Sequence, residues 1–102
     1  MNLLMVLSAA GLLLASGAAW ADDDLYKTKN CFACHRVDRA TLGPSFKSIS
    51  AKYADDKTAA ASLAKKIREG TVGAWGQVPM PPQPQVTEAE AATLAQWILQ
   101  LK

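Results

Sequence analysis

In Cys31-Phe32-Ala33-Cys34-His35, two thiols stand three positions apart and an imidazole follows at once. On a helical turn, side chains at i and i+3 share a face. Both sulfurs can therefore reach the edge of one flat ligand, while His35 points a ring nitrogen at its centre. That is the arrangement needed to bond covalently to the two vinyl groups of haem and to ligate its iron. A redox-active Cys-x-x-Cys of the thiol oxidoreductase type needs a βαβ context, and this chain has almost no strand pattern. The adjacent histidine also favours haem.

The rest of the chain is read from this motif outward. Of the 102 residues, 1–21 read as an apolar run from Leu3 to Leu14 followed by small residues ending Ala19-Trp20-Ala21. This is the pattern of a secretory signal peptide. The run falls short of the roughly 20 apolar residues of a spanning helix, so cleavage after Ala21 with no lasting membrane insertion is expected. The segment departs from the pattern in having no Lys or Arg ahead of the apolar run. Residues 22–102 then form one small domain. A domain of that size buries little surface and gains from a covalently held apolar group in its core. The charged residues all follow the signal, so the net charge stays at +2. No dense basic run appears, which argues against nucleic acid as a partner.

Asp22-Asp23-Asp24 can cap a first helix running through Leu25 and Tyr26 into Cys31. Pro44 can open a second, from Ser45 to about Tyr53, with Phe46 and Ile49 inward. Lys57 to Glu69 reads as a third, because Ala60, Leu63, Ala64 and Ile67 form one stripe and Gly70 stops it. Thr87-Glu88-Ala89-Glu90 is a capping box that starts a fourth helix. Its apolar face is Ala91, Leu94, Ala95, Ile98 and Leu101, with Trp97 beside it. The expectation is an all-α domain of about four short helices, with no sheet.

Between the third and fourth helices lies a long Gly- and Pro-rich stretch, residues 71–86. Loops of this length are usually functional or disordered. It holds Pro79-Met80-Pro81-Pro82. Methionine is ordinarily a flexible core filler, yet three prolines stiffen the backbone here, and Pro81 biases Met80 towards an extended conformation. A thioether is a soft ligand, and Met/His ligation raises the potential of a haem iron. His35 is the only histidine in the chain, and Met80 the only methionine after the signal. Both are expected to bind the metal.

Cys31-Phe32-Ala33-Cys34-His35, Gly43-Pro44, Gly73-Ala74-Trp75-Gly76, Pro79-Met80-Pro81-Pro82 and a closing helix with Leu94 and Trp97 occur in this order. Over 22–102 the sequence resembles the small bacterial class I c-type cytochromes of the cytochrome c-551 kind. The resemblance implies a small class I cytochrome c fold around one haem c, held through Cys31 and Cys34. It further implies His35 as proximal and Met80 as distal ligand, and the Pro44 carbonyl accepting the other imidazole N–H. It implies the Trp75 indole donating to a propionate, Lys66 as a cation near a propionate, and Gln83 hydrogen-bonding near the Met80 sulfur. Asn30 is a departure, since family members often carry Gly just before the first cysteine. Its position bears on the helix crossing and on a Tyr26–Leu94–Trp97 contact.

The expected function is a periplasmic one-electron carrier between respiratory redox partners, not an enzyme, acting as a monomer. Phe32, Leu42 and Val78 are expected to form an apolar docking patch ringed by Lys29 and Lys47, suited to transient partners. The alternative, a haem enzyme or gas-binding module with a dissociable Met80, lacks a distal His or Arg near Met80.

Overall fold

The computed structural model describes Gly11 and residues 24–102; the signal segment expected over 1–21 and the caps expected at Asp22 and Asp23 lie outside the described residues. Residues 24–28 are helical (α1). The chain does not continue as one helix into Cys31, as the sequence suggests. Asn30 adopts the left-handed conformation, φ 70°, which asparagine tolerates better than most residues. A 3₁₀ turn, Cys31–Ala33, follows. In such a turn i and i+3 eclipse, so Cys31 and Cys34 still share one side. Asn30 thus takes a backbone role that glycine fills without cost.

Helix α2 is Phe46–Lys52, capped by the Ser45 side chain, which accepts from Ser48 N at 3.1 Å. Pro44 therefore sits one residue ahead of the cap rather than at the first helical position. Helix α3 is Ala59–Glu69. Its start is two residues later than the charge pattern suggests, because Asp56 Oδ1 accepts from both Thr58 N and Thr58 Oγ1 at 2.8 Å and holds that corner as a turn.

The stretch 71–80 corrects the expectation of no sheet. Strands β1, Thr71–Gly73, and β2, Gly76–Met80, pair antiparallel with Thr71 opposite Met80 and Gly73 opposite Gly76. No period-2 apolar pattern announces them, since nearly every residue of both strands is exposed. Glycines at positive φ, Gly73 and Gly76, make the tight tip, and Pro79 is tolerated in a two-stranded ribbon.

Helix α4, Glu88–Gln100, begins with the expected capping box, both reciprocal Thr87–Glu90 bonds being present. It buries Ala91, Leu94, Ala95 and Ile98, whereas Leu101 lies past the last turn in extended conformation. Ser50 Oγ, from α2, lies 3.1 Å from Leu99 O and 2.7 Å from Leu101 O and caps that end. The core joins Leu63 of α3 and Val86 to this face. Burying a side chain such as Leu94 contributes about 1.5–3 kcal/mol. Tyr26, Phe46 and Trp97 meet at its edge. Tyr26 stacks on Trp97 at 5.5 Å, and Phe46 meets both edge-on at 5.2 and 5.5 Å.

Candidate haem site

A cleft of about 490 Å³ opens between the segment 30–49, α3 and the hairpin, and Leu94 and Ile98 of α4 floor it. The volume is in the range of cofactor sites, roughly 300–1,000 Å³. Cys31, Cys34, His35, Pro44, Trp75 and Met80 all line it, as do Lys66 and Gln83. Residues as far apart in sequence as Cys31 and Gln83 are thereby brought to one wall or another of a single space.

His35 is the most constrained group. It is buried, 8% exposed, and its ring stacks on Phe46 at 5.0 Å. Its Nδ1 lies 2.8 Å from the Pro44 carbonyl oxygen. A carbonyl only accepts, so Nδ1 carries the proton and Nε2 keeps its lone pair for a metal. Gly43 closes the other side: a Cβ there would stand 2.6 Å from His35 Cε1 and 2.8 Å from Nδ1. Tyr26 Oη donates to His35 O at 3.2 Å, which ties the aromatic cluster to the site. Two further bonds hold the loop, Thr41 Oγ1 to Cys34 O at 2.6 Å and Gly43 N to Cys34 O at 2.8 Å. The packing of Phe46 and Gly43 on the imidazole is not evident in the sequence; the only hint is the Gly-Pro-Ser turn that places them.

Cys31 and Cys34 are half-buried and unpaired with one another. Burial pushes the Cys31 thiol above its ordinary value, 9.0, partly offset by a backbone hydrogen bond. Two free thiols, an imidazole with a free nitrogen and a half-buried thioether around one mainly apolar space fit a covalently bound, planar, iron-bearing group.

The other candidates on the cleft have partners of their own. Trp75 is at the hairpin tip and 45% exposed. The Lys52 ammonium stands over its ring at 4.6 Å and donates to Ala74 O at 2.7 Å. Lys66 Nζ donates to Tyr53 Oη at 3.3 Å on the cleft wall. The Gln83 amide engages local partners instead of the Met80 sulfur: Nε2 donates to Pro81 O at 2.9 Å and Oε1 accepts from Gln85 at 2.8 Å. Phe32, Leu42 and Val78 are exposed, and Val72 and Trp75 join them. Lys29 and Lys47, however, are ion-paired, to Glu90 and Asp38, each at 3.1 Å. Their charge at the rim is correspondingly reduced. Among the described residues no helix is long and apolar enough to cross a membrane.

The chain is 54% identical over 94 residues to cytochrome c-552 of Nitrosomonas europaea, covering 92% of this chain and 91% of that protein. It is 48% identical over 101 residues to cytochrome c-551 of Pseudomonas aeruginosa, covering 97% and 95%. The crystal structure of wild-type Nitrosomonas europaea cytochrome c552 superposes with a TM-score of 0.77, over 78% of this chain and 99% of that one. The family carries covalently bound haem c, and Cys31 and Cys34 have the spacing for it. With the family model for cytochrome c matching residues 23–102, this chain belongs to the cytochrome c family, as an electron-carrying cytochrome with haem c.

Proposed function

We propose that residues 22–102 form a periplasmic, monomeric one-electron carrier whose haem iron is held by His35 and Met80, with residues 1–21 as a cleaved leader. The observation that carries this is the convergence in one cleft of two free thiols, an imidazole with Nδ1 bonded to Pro44 O, and the chain's only methionine outside 1–21. When bound, the haem supplies the Fe(II)/Fe(III) couple.

The residues do the rest. Cys31 and Cys34 would hold the haem covalently as thioethers, each S–H bond and vinyl π bond giving way to one C–S and one C–H bond with no oxidant needed. His35 gives Nε2 to the metal, and its Nδ1–H bond to Pro44 O raises its basicity. Met80 gives a neutral, soft sulfur that favours Fe(II) and raises the potential. With His35 and Met80 both bound to it, the iron would leave no open site for substrate or oxygen and would keep the same ligands in both oxidation states. The Trp75 indole N–H and the Lys66–Tyr53 pair are the donors suited to propionate carboxylates. The exposed apolar rim of Leu42, Val72, Val78 and Phe32 suits brief contact with redox partners, whose interfaces are small.

Protein matured in a periplasm tests this reading by haem stain and redox-difference spectrum. The expected product is red, retains its haem under denaturing conditions, and takes up carbon monoxide poorly when reduced. Colourless protein, or ready uptake of carbon monoxide, would overturn it.

A further inference from the structure

Gly70 ends α3 with φ 80° and ψ 170°, a conformation essentially confined to glycine. A second constraint acts at the same atom. A Cβ at position 70 would lie 2.7 Å from the Met80 carbonyl oxygen, 2.9 Å from Pro82 N and 3.0 Å from Pro82 Cδ. None of these belongs to the end of a flexible side chain, and the rings of Pro81 and Pro82 remove the φ freedom by which the segment could step aside. The same corner is tied twice more through backbone. Gln83 N donates to Ile67 O at 3.1 Å, and Thr71, next to Gly70, pairs with Met80.

The Met80 side chain cannot locate itself. A thioether is a weak acceptor with no donor, and three rotatable bonds leave it adaptable. The reach of its sulfur is set by where its backbone is held. The structure assigns Gly70 as a positioning residue for Met80: its missing side chain lets the end of α3 seat the Met80–Pro82 backbone, and that seat fixes where the sulfur is presented. This rests on the proposed ligation of iron by Met80.

Gly76 supplies the control. It too has positive φ, 111°, at the start of the strand that carries Met80, but a Cβ there meets nothing within 4 Å. Gly70→Ala therefore adds strain and collision, and Gly76→Ala adds strain alone. Ferric holoprotein of the wild type and both variants, checked for helicity by circular dichroism, is scanned for the long-wavelength sulfur-to-iron charge-transfer band and titrated with imidazole. In Gly70→Ala the band is expected to weaken or vanish and imidazole to bind at least about tenfold more tightly, the sulfur having lost that much of its competitive advantage. Gly76→Ala is expected to keep the band and to stay within about twofold of wild type. Should Gly70→Ala not fold, Gln83→Pro deletes the N–H that bonds Ile67 while adding nothing at position 70, and the same change is expected. Wild-type behaviour of Gly70→Ala (or, if that variant does not fold, of Gln83→Pro), or an equal change in Gly76→Ala, overturns the seat alone. A wild type without the band overturns Met80 ligation, and the seat with it.

Discussion

The histidine side and the methionine side of the cleft are built on opposite plans. On the histidine side the imidazole and its supports lie close together in sequence. Pro44 O, Gly43 and Phe46 act on the imidazole ring itself by hydrogen bond, contact and stacking, and Thr41 holds the carbonyl of its neighbour Cys34. On the methionine side the supports act on the main chain. The Met80 backbone is held by α3, through Gly70 and Ile67, and by pairing with β1. A polar ring can be oriented directly; an apolar thioether is aimed by holding the chain that carries it.

The largest effect expected from this contrast is that of Met80→Ala. It removes the proposed ligand and leaves its seat intact, so the reduced holoprotein should bind carbon monoxide readily. Its midpoint potential should fall by on the order of 0.1 V, within the roughly 0.8 V span that axial ligands command. Equilibrium redox titration and carbon monoxide difference spectra check both. An unchanged potential would show that the two sides do not hold the iron together.

A smaller effect is expected on the other side. Gly43→Ala drives a Cβ against the imidazole at 2.6 Å. The ring is locked between Phe46 and Pro44 O, so the collision should appear as lost stability of about 1–3 kcal/mol, the usual cost of overpacking. Denaturant unfolding of the holoprotein measures it. A neutral result would mean that the histidine side yields as easily as a loop.

The smallest effect concerns the strap between the sides. Lys29, just ahead of the cysteine motif, donates to Gln85 O at 3.1 Å and pairs with Glu90, and Gln85 Nε2 donates back to Lys29 O at 3.1 Å. The Thr87 backbone N–H, and then Lys29, hold the Glu90 carboxyl below its ordinary value of 4.5. A depressed folded pKa contributes stability above the unfolded value and loses it as pH falls through the folded one. Glu90→Gln should therefore lower stability slightly at neutral pH, with the difference from wild type vanishing in acid. Thermal unfolding from pH 7 to pH 3 reads this. Because the carboxylate is exposed, the effect is small and shrinks with salt.

Much of this molecule is legible in its sequence. The cysteine–histidine motif, the stripe of α3, the capping box of α4 and its buried face follow from residue type and period alone, because helix caps and amphipathic stripes are local. The proline-clamped Met80 is legible too, as an unusual use of a floppy side chain. The hairpin is not, because its strands are exposed on both faces and are paired by glycine geometry rather than by apolar alternation. Nor is Asn30, whose left-handed turn replaces an expected run of helix.

Residue chemistry by itself determined which groups can meet an iron porphyrin: two thiols, one imidazole, one thioether. Tertiary structure decided how they are aimed. The pairing of Lys29 with Glu90 and Gln85, the cap that Ser50 places on the end of α4 and the bond from Gln83 N to Ile67 O all depend on distances between atoms far apart in the chain. Such distances are set by how helices and hairpin pack together, and no local pattern encodes them.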